Sequence, residues 1–498
     1  MSALRLGLKC GRRAVTSRPL LAALRVSHIH RRLFATESSD TNQPSLHDTP
    51  PSSKQTSGSQ NAKPPLDFEI NDSSQVIKVN GVAYPPLFLR DACGCHRCVD
   101  PSTKQKNFQT SDIPSGIRAT SILTDGNGNL IISWNNDIPG YGSDHVSSFS
   151  EKFFETNFSP KAYHNDRRNT IRPIRWNAER IAKNLQYVTF DDYINTEEGL
   201  FRALIMLRDY GLLILRDVPE SETSVVDIAK RVGNLRDTLY GVTWDVKSVS
   251  EAKNVAYTSQ YLGLHMDLLY MTNPPGFQFL HCLRNTCSGG SSIFSDAFHA
   301  AAQLDEHNFD ELCRQKVPYH YRNAGEHYFY KHRVISSKPP KPKATKFSKV
   351  AAIRHINYSP PFQATFDVPE NSVPVAEALR QFASRVEAPE NMYEYRLQEG
   401  ECVIFNNRRV LHGRKEFDTS AGERWLKGAY IDTDVFVSRY RVLAEKYQNQ
   451  NQDFLRTHAR LICWDIENPE TGRMESDPLK VWETSRDLPQ TEGYANII

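Results

Sequence analysis

From Asn254 to Ile431 the apolar residues arrive in short runs rather than in long periodic stretches. Gly276–Leu280, Ser291–Phe294, Glu401–Phe405 and Trp425–Ile431 are each of strand length, with Pro and Gly turns between them. A short run that is apolar at nearly every position reads as a strand buried on both faces. Several such strands need a closed or doubled sheet to hide their edges. The pattern therefore predicts a large β barrel or sandwich over this half of the chain. Helices belong at its flank. Thr196 caps a segment carrying Leu200, Phe201, Leu204, Ile205 and Leu207 at helical spacing, Gly211 ends it, and strand-like Leu212–Leu215 follows. Val225, Val226, Ile228 and Val232 repeat the amphipathic pattern. Asp434–Leu443 does so again, with an apolar face that packs either on its own barrel or on a second copy of the chain.

The 498 residues suit two or three domains. Residues 1–36 hold eight basic side chains (Arg5, Lys9, Arg12, Arg13, Arg18, Arg25, Arg31 and Arg32) and no acidic one, with leucines interleaved. Such a leader reads as a mitochondrial transit peptide. Residues 37–66 are Ser-, Thr-, Gln- and Pro-rich and read as a disordered linker. Residues 67–160 read as a small β-rich N-terminal domain. Gln75–Val79 alternates with period two, Leu87–Leu89 follows as a further short apolar run, and Thr120–Leu123 pairs with Leu130–Trp134 across Asp125-Gly126-Asn127-Gly128. Residues 161–498 form the larger domain, with Lys- and Pro-rich Ser336–Lys349 as a surface loop. The whole chain carries 61 Lys+Arg against 58 Asp+Glu. Without the eight basic leader residues the balance is 53 against 58, a net −5, which gives no electrostatic case for nucleic acid. No apolar stretch is long enough for a membrane-spanning helix.

Two constellations carry chemistry. Cys93-x-Cys95-x-x-Cys98 offers three thiolates in one tight loop, a set that suits tetrahedral zinc. His96 is too close to its neighbours to complete the tetrahedron, so His145 is the fourth ligand expected, and the site reads as structural. The second is His265-x-Asp267 with distant His412. On a strand, residues two apart point the same way, so His265 and Asp267 can share a metal that His412 reaches from another strand. Two imidazoles and one carboxylate leave positions open, as non-haem Fe(II) requires. On spacing alone His281, His299 and His355 are rivals for the third position. Arg424 lies 12 residues after His412 (424 − 412), and its fixed fork of donors suits the far end of a dicarboxylate. Tyr240, Trp244, Tyr257 and Tyr430 could cage a quaternary ammonium by cation–π attraction, or could equally be core packing.

These residues give the chain a family likeness. It resembles the γ-butyrobetaine dioxygenases, within the taurine-dioxygenase-like Fe(II)/2-oxoglutarate enzymes, from about Asp67 to the C-terminus. The likeness rests on Leu89-Arg90-Asp91-x-Cys93-x-Cys95-x-x-Cys98, Tyr240-Gly241-x-Thr243-Trp244, Asn254-Val255-Ala256-Tyr257-Thr258, His265-x-Asp267 followed by Pro274-Pro275-Gly276, and Leu411-His412-Gly413-Arg414. The resemblance implies a mainly β fold with flanking helices: a double-stranded β-helix (jelly-roll) catalytic domain behind the small zinc-binding N-terminal domain. It implies iron on His265, Asp267 and His412, the 2-oxoglutarate C5 carboxylate on Arg424, a hydroxyl contact from Ser292, and ascorbate as reductant. It implies a trimethylammonium cage of Tyr240, Trp244, Tyr257 and Tyr430, and a homodimer. The activity implied is hydroxylation of a trimethylammonium compound with O2, giving L-carnitine from γ-butyrobetaine. Asn254 agrees with that substrate, where the related trimethyllysine enzymes tend to carry an acidic residue. Ser359 stands where the family pattern has a second asparagine, and Leu268 where it has a tyrosine. Hydroxylation of another betaine or of trimethyllysine is the alternative within the enzyme class. A non-catalytic mitochondrial zinc-binding interaction protein is the alternative outside it.

Overall fold

Asp125 organises a tight turn between two strands of the N-terminal region. Its carboxylate accepts from the backbone N–H groups of Asn127 and Asn129 at 2.9 and 2.8 Å, and Gly128 takes a positive φ of 79°. The computed structural model describes residues 66–71, 76–159, 173–247, 258–337, 350, 353–366, 369–420, 422–450, 466–467 and 474–475. The basic leader, most of the linker, Asn254, Tyr257 and residues 338–349 of the Lys- and Pro-rich stretch lie outside the described residues.

Residues 66–159 carry two small antiparallel sheets. The first joins β1 (Phe68–Asn71), β2 (Val76–Val79) and β3 (Val82–Tyr84). The second joins β4 (Arg118–Thr124), β5 (Leu130–Asn135) and β6 (Val146–Phe149). Their apolar faces, with Leu89, Phe108 and Phe154, form a core drawn entirely from residues 66–154. Leu87–Leu89 is not a strand. Pro86 opens a short helix, Pro86–Asp91, because its ring fixes φ and removes a donor that the first helical turn would leave unpaired anyway.

From Tyr187 onward two sheets face each other. In chain order their strands are β7 (Tyr187–Thr189), β8 (Leu212–Arg216), β9 (Thr243–Lys247), β10 (Leu262–His265), β11 (Phe277–Asn285), β12 (Ser292–Asp296), β13 (Tyr393–Tyr395), β14 (Cys402–Asn406), β15 (Val410–Arg414) and β16 (Arg424–Ile431). The larger sheet runs β7-β8-β14-β11-β16-β9 and the smaller β10-β15-β12-β13. Every position of Phe277–Leu283 is buried, as expected for a strand with side chains packed on both faces. The architecture is mainly β with flanking helices, and the four apolar runs singled out in the sequence coincide with β11, β12, β14 and β16.

Helices pack on both sheets: Glu197–Asp209, Ser224–Val232 and Thr433–Gln450 share the core of the larger one, and Ala297–Ala302, Glu306–Arg314 and Pro369–Val386 that of the smaller. Thr196 Oγ1 accepts from Gly199 N at 2.9 Å and starts the helix Glu197–Asp209; Gly211, at φ 74°, then turns the chain into β8. The helix Ser224–Val232 forms where its apolar periodicity predicts it. The C-terminal helix Thr433–Gln450 lays its apolar face on its own barrel: the Phe436 ring stacks on Phe277 at 4.1 Å, and Tyr440 lies 5.9 Å from Phe201. Among the described residues no helix is long and apolar enough to cross a membrane.

Candidate active site and metal centres

Antiparallel pairing of β10 with β15 sets His265 opposite His412 in register, so both side chains leave the same face of the smaller sheet. Their rings lie 4.3 Å apart. This explains how residues so distant in sequence share a site. Asp267 arrives differently from the strand periodicity expected of His265-x-Asp267. Strand β10 ends at His265, and Asp267 sits in the following turn, just before Leu268 at a positive φ of 61°. Asn407 fixes that turn. Its Oδ1 accepts from the Asp267 N–H at 2.9 Å, and its Nδ2 donates to the carbonyls of Asp267 at 3.1 Å and Pro275 at 3.2 Å.

One ligand atom from each of His265, Asp267 and His412 lies within 4.8 Å of the others. His265 Nδ1 donates to the Gly263 carbonyl at 2.8 Å, which leaves the lone pair of Nε2 facing Asp267 Oδ1 at 3.3 Å. His412 Nε2 lies 3.8 Å from Asp267 Oδ2. Tyr430 Oη donates to that second carboxylate oxygen at 2.6 Å. Burial by itself would raise the Asp267 pKa. The close approach of His265 and His412 and the Tyr430 hydroxyl outweigh it and hold the carboxyl ionised, well below the usual range. Burial, then the neighbouring His265, pushes His412 down to about 3, so its imidazole is neutral at physiological pH. Two imidazoles and one ionised carboxylate form a donor set that fits a divalent iron and leaves room for exogenous ligands. His281, His299 and His355, rivals on spacing alone, are not among these converging donors.

A cavity open to solvent, with about 530 Å³ of empty space counting its mouth, lies beside these donors. His265, Asp267, His412 and Gln278 lie on its wall, as do Arg414, Arg424 and Ser292. Leu280, Leu426, Val246 and Phe294 supply apolar lining. Burial lowers the Arg424 pKa to about 10, and the guanidinium is paired with no carboxylate in the described structure; its Nε donates to the Gly290 carbonyl at 3.3 Å. A buried cation without a counter-ion is costly, and an incoming carboxylate would relieve it. Gly290 gives Arg424 its space: at φ 72°, a Cβ there would stand 3.1 Å from Arg424 Cδ.

The aromatic residues separate into two groups. The rings of Trp244 and Tyr430 stack at 4.0 Å with 24° between their planes. Strand pairing explains this, since Trp244 is opposite Gly428 and a Cβ at Gly428 would lie 2.4 Å from the indole. Tyr240 instead meets Tyr321, at 6.3 Å between centroids, and shares a hydroxyl hydrogen bond of 3.2 Å with Tyr270. Asn254 and Tyr257 lie outside the described residues. Ser359 is buried, and its Oγ has no hydrogen-bond partner.

In the N-terminal region Cys93, Cys95, Cys98 and His145 converge as their spacing predicts. His145 Nε2 lies 3.6, 3.5 and 3.3 Å from the three sulfurs. A tetrahedron with Zn–S near 2.3 Å and Zn–N near 2.0 Å has an S···N edge of about 3.5 Å, so the donors fit zinc without rearrangement. Behind them stands a buttress that the sequence did not reveal. His145 Nδ1 is 2.7 Å from Asp137 Oδ2, Arg90 Nε donates to Asp137 Oδ1 at 2.5 Å, and Arg90 Nη1 donates to Cys98 Sγ at 3.3 Å. A carboxylate behind a ligating histidine fixes its tautomer and raises its basicity.

Known proteins share this plan. Residues 170–430 match the taurine catabolism dioxygenase TauD, TfdA family, and residues 68–144 match the gamma-butyrobetaine hydroxylase-like N-terminal family. Dioxygenase str8 of Strobilurus tenacellus is 41% identical over 379 residues, 72% of this chain and 85% of that protein. Gamma-butyrobetaine dioxygenase of Pseudomonas sp. (strain AK-1) is 31% identical over 363 residues, covering 72% and 89%. The mitochondrial trimethyllysine dioxygenase of Rattus norvegicus is 28% identical over 388 residues, covering 76% and 85%. The chain belongs to the TauD/TfdA family, in the branch with the γ-butyrobetaine dioxygenases. It is an Fe(II)/2-oxoglutarate-dependent dioxygenase.

Proposed function

We propose that the protein hydroxylates a trimethylammonium compound, with γ-butyrobetaine as substrate and L-carnitine as product. The observation that carries the reading is one cavity bordered by two imidazoles, an ionised carboxylate and the buried Arg424 guanidinium. His265, Asp267 and His412 would hold the iron, and Arg424 with Ser292 the far carboxylate of 2-oxoglutarate. When bound, iron, 2-oxoglutarate and O2 supply the oxidising chemistry, leaving succinate and CO2 as co-products.

The chain's own part is positioning and exclusion. The Gly263 carbonyl fixes the His265 tautomer, and Asn407 and Tyr430 hold the two ends of the Asp267 residue, backbone and carboxylate. Leu280, Leu426 and Phe294 keep water from the tract between the polar groups. Tyr240, Trp244, Tyr257 and Tyr430 present aromatic faces to the cationic head, and Asn254 contacts the substrate. Zinc on Cys93, Cys95, Cys98 and His145 closes the loop they share and serves folding rather than chemistry. The basic leader directs the protein to mitochondria, where the rat trimethyllysine dioxygenase that it resembles is also named as residing.

A second reading concerns the substrate's tail. Leu268 and Ser359 remove polar partners from that end, and the 41% identity to dioxygenase str8 exceeds the 31% to a γ-butyrobetaine dioxygenase. Another trimethylammonium compound, or trimethyllysine, is then the substrate. Protein lacking residues 1–36 should be supplied with Fe(II), ascorbate, O2 and 2-oxoglutarate, and succinate measured with γ-butyrobetaine, with trimethyllysine and with neither. Stimulation by γ-butyrobetaine with carnitine formed supports the first reading. Slow succinate formation that neither compound stimulates refutes it. His265→Ala should abolish succinate formation in every arm.

A further inference from the structure

One polar group on the cavity wall has no task in the scheme above. Gln278 is 3% exposed, and its Oε1 has no hydrogen-bond partner. Buried carboxamides are normally satisfied, and leaving one unpaired costs stability that evolution rarely leaves uncompensated. Gln278 is not held there by accident of sequence register either, since β11 pairs it directly with Tyr430, the residue hydrogen-bonded to Asp267. Its side chain therefore enters the cavity at the end where the three metal donors converge.

The polar groups of this cavity sit at two ends. By strand register, Arg424 and the pair Ser292 and Arg414 mark one, while Gln278, opposite the Tyr430 that bonds Asp267, and the donors mark the other. Between them the larger sheet presents Leu280, paired with Gly428, and Leu426, paired with Cys282. Six residue steps along β16 separate Arg424 from Tyr430 (430 − 424), about 20 Å of strand. A long arginine reaching in from one end and a glutamine from the other shorten that span to a tract for a short diacid, polar at both ends with methylenes in the middle. Trp244 and Phe294 contribute aromatic rings to its wall and, among the described residues, no tyrosine does so, so the tract differs in character from the tyrosine-rich region around Tyr240 and Tyr270.

We propose that Gln278 is a co-substrate-binding residue, whose carboxamide hydrogen-bonds the carboxylate of the 2-oxo acid that lies against the metal, while Arg424 takes the other carboxylate. A half-turn of the amide exchanges its donor and acceptor ends, so the group can present N–H to a carboxylate oxygen. The inference rests on the reading of the cavity as an iron and 2-oxoglutarate site.

The test is an anaerobic titration of the Fe(II) protein with 2-oxoglutarate, read by the visible charge-transfer band of the chelated 2-oxo acid. Fe(II) affinity and Tm are measured in parallel. Gln278→Met keeps the length of the side chain and removes its polarity. It should weaken 2-oxoglutarate binding about tenfold to a hundredfold, with Fe(II) affinity and Tm close to wild type. Gln278→Glu keeps the shape, sets a carboxylate against a carboxylate, and should weaken binding further. Two-fold or smaller changes in both variants overturn the proposal. So does a loss confined to the KM of the trimethylammonium substrate, which would assign Gln278 to that ligand. If wild-type protein binds Fe(II) but gives no band with 2-oxoglutarate, the reading of the site itself fails, and the proposal with it.

Discussion

Asn407 is 140 residues from Asp267, yet it holds the backbone of that residue from both sides. It is fully buried and makes three hydrogen bonds of 2.9 to 3.2 Å, two to Asp267 and one to Pro275. Asn407→Ala would leave one backbone N–H and two carbonyls without these partners. An unsatisfied buried group costs about 1–3 kcal/mol, and water entering the vacated space would recover part of it, so the net loss of stability should be about 2–4 kcal/mol. The turn it supports holds Leu268 at φ 61°, a conformation costing of order 1–3 kcal/mol for a residue with a side chain. Once released, the turn should relax and carry the Asp267 carboxylate away from His265 and His412. Loss of a group that orients a metal ligand typically lowers metal affinity about 10- to 100-fold. The assay is a urea melt together with Fe(II) titration of the folded protein. Asn407→Asp separates the contributions: it keeps the acceptor for Asp267 N–H and replaces both donors with a carboxylate facing two carbonyls. A variant that loses stability but binds Fe(II) within twofold of wild type would refute the claim that Asn407 positions the metal carboxylate.

Four further outcomes are expected. Tyr430→Phe removes the hydroxyl from Asp267 Oδ2 while keeping the ring on Trp244, so Fe(II) affinity should fall severalfold with little change in Tm. Asp137→Asn weakens the support of His145, and zinc retained during chelator challenge should fall about 10- to 100-fold, as metal analysis would report. Gly428→Ala drives a methyl group into the Trp244 indole; indole fluorescence should change, and the KM for the trimethylammonium substrate should rise while 2-oxoglutarate binding is retained. His281 is fully buried, and burial pushes its pKa down to about 4. Because the unfolded value is near 6.5, the folded protein excludes a proton that the unfolded chain accepts. That stability is fully present above about pH 6.5 and is lost as pH falls toward 4, by roughly 3 kcal/mol in all. His281→Leu should accordingly move the acid-unfolding midpoint to lower pH, and an unchanged midpoint would count against the argument.

What the sequence made legible follows from how locally each feature is encoded. Short apolar runs gave β11, β12, β14 and β16 because a doubly buried strand is apolar at consecutive positions, a property visible within a few residues. Leu87–Leu89 has the same local signature and is helical, since Pro86 and its surroundings settle a choice that hydrophobicity leaves open. The three clustered thiols were legible for a similar reason, since their donor type is rare and their separation in sequence is small; His145, 47 residues beyond Cys98, followed from the need for a fourth ligand. The remaining contacts depend on pairing between distant strands. His265 meets His412 through the β10–β15 register, Trp244 meets Tyr430 through β9 and β16, and Gln278 meets Tyr430 through β11 and β16. A one-residue slip in any of these pairs would turn the side chains to the opposite face, so the motif alone does not determine them.

The same logic explains why the residues that hold the ligands escaped notice when the ligands did not. His265-x-Asp267 invites a strand argument, but Asp267 lies in a turn whose shape is imposed by Asn407, and nothing in the local sequence distinguishes that asparagine from Asn406 beside it. Asp137 is equally unmarked as the partner of His145. Both act through geometry that exists only after folding. Donor chemistry fixes which metal can be held, and these supports fix how tightly and in what orientation. Substituting either should therefore affect affinity before it alters the identity of the metal, whereas loss of His265 or Cys98 removes the site's chemistry outright.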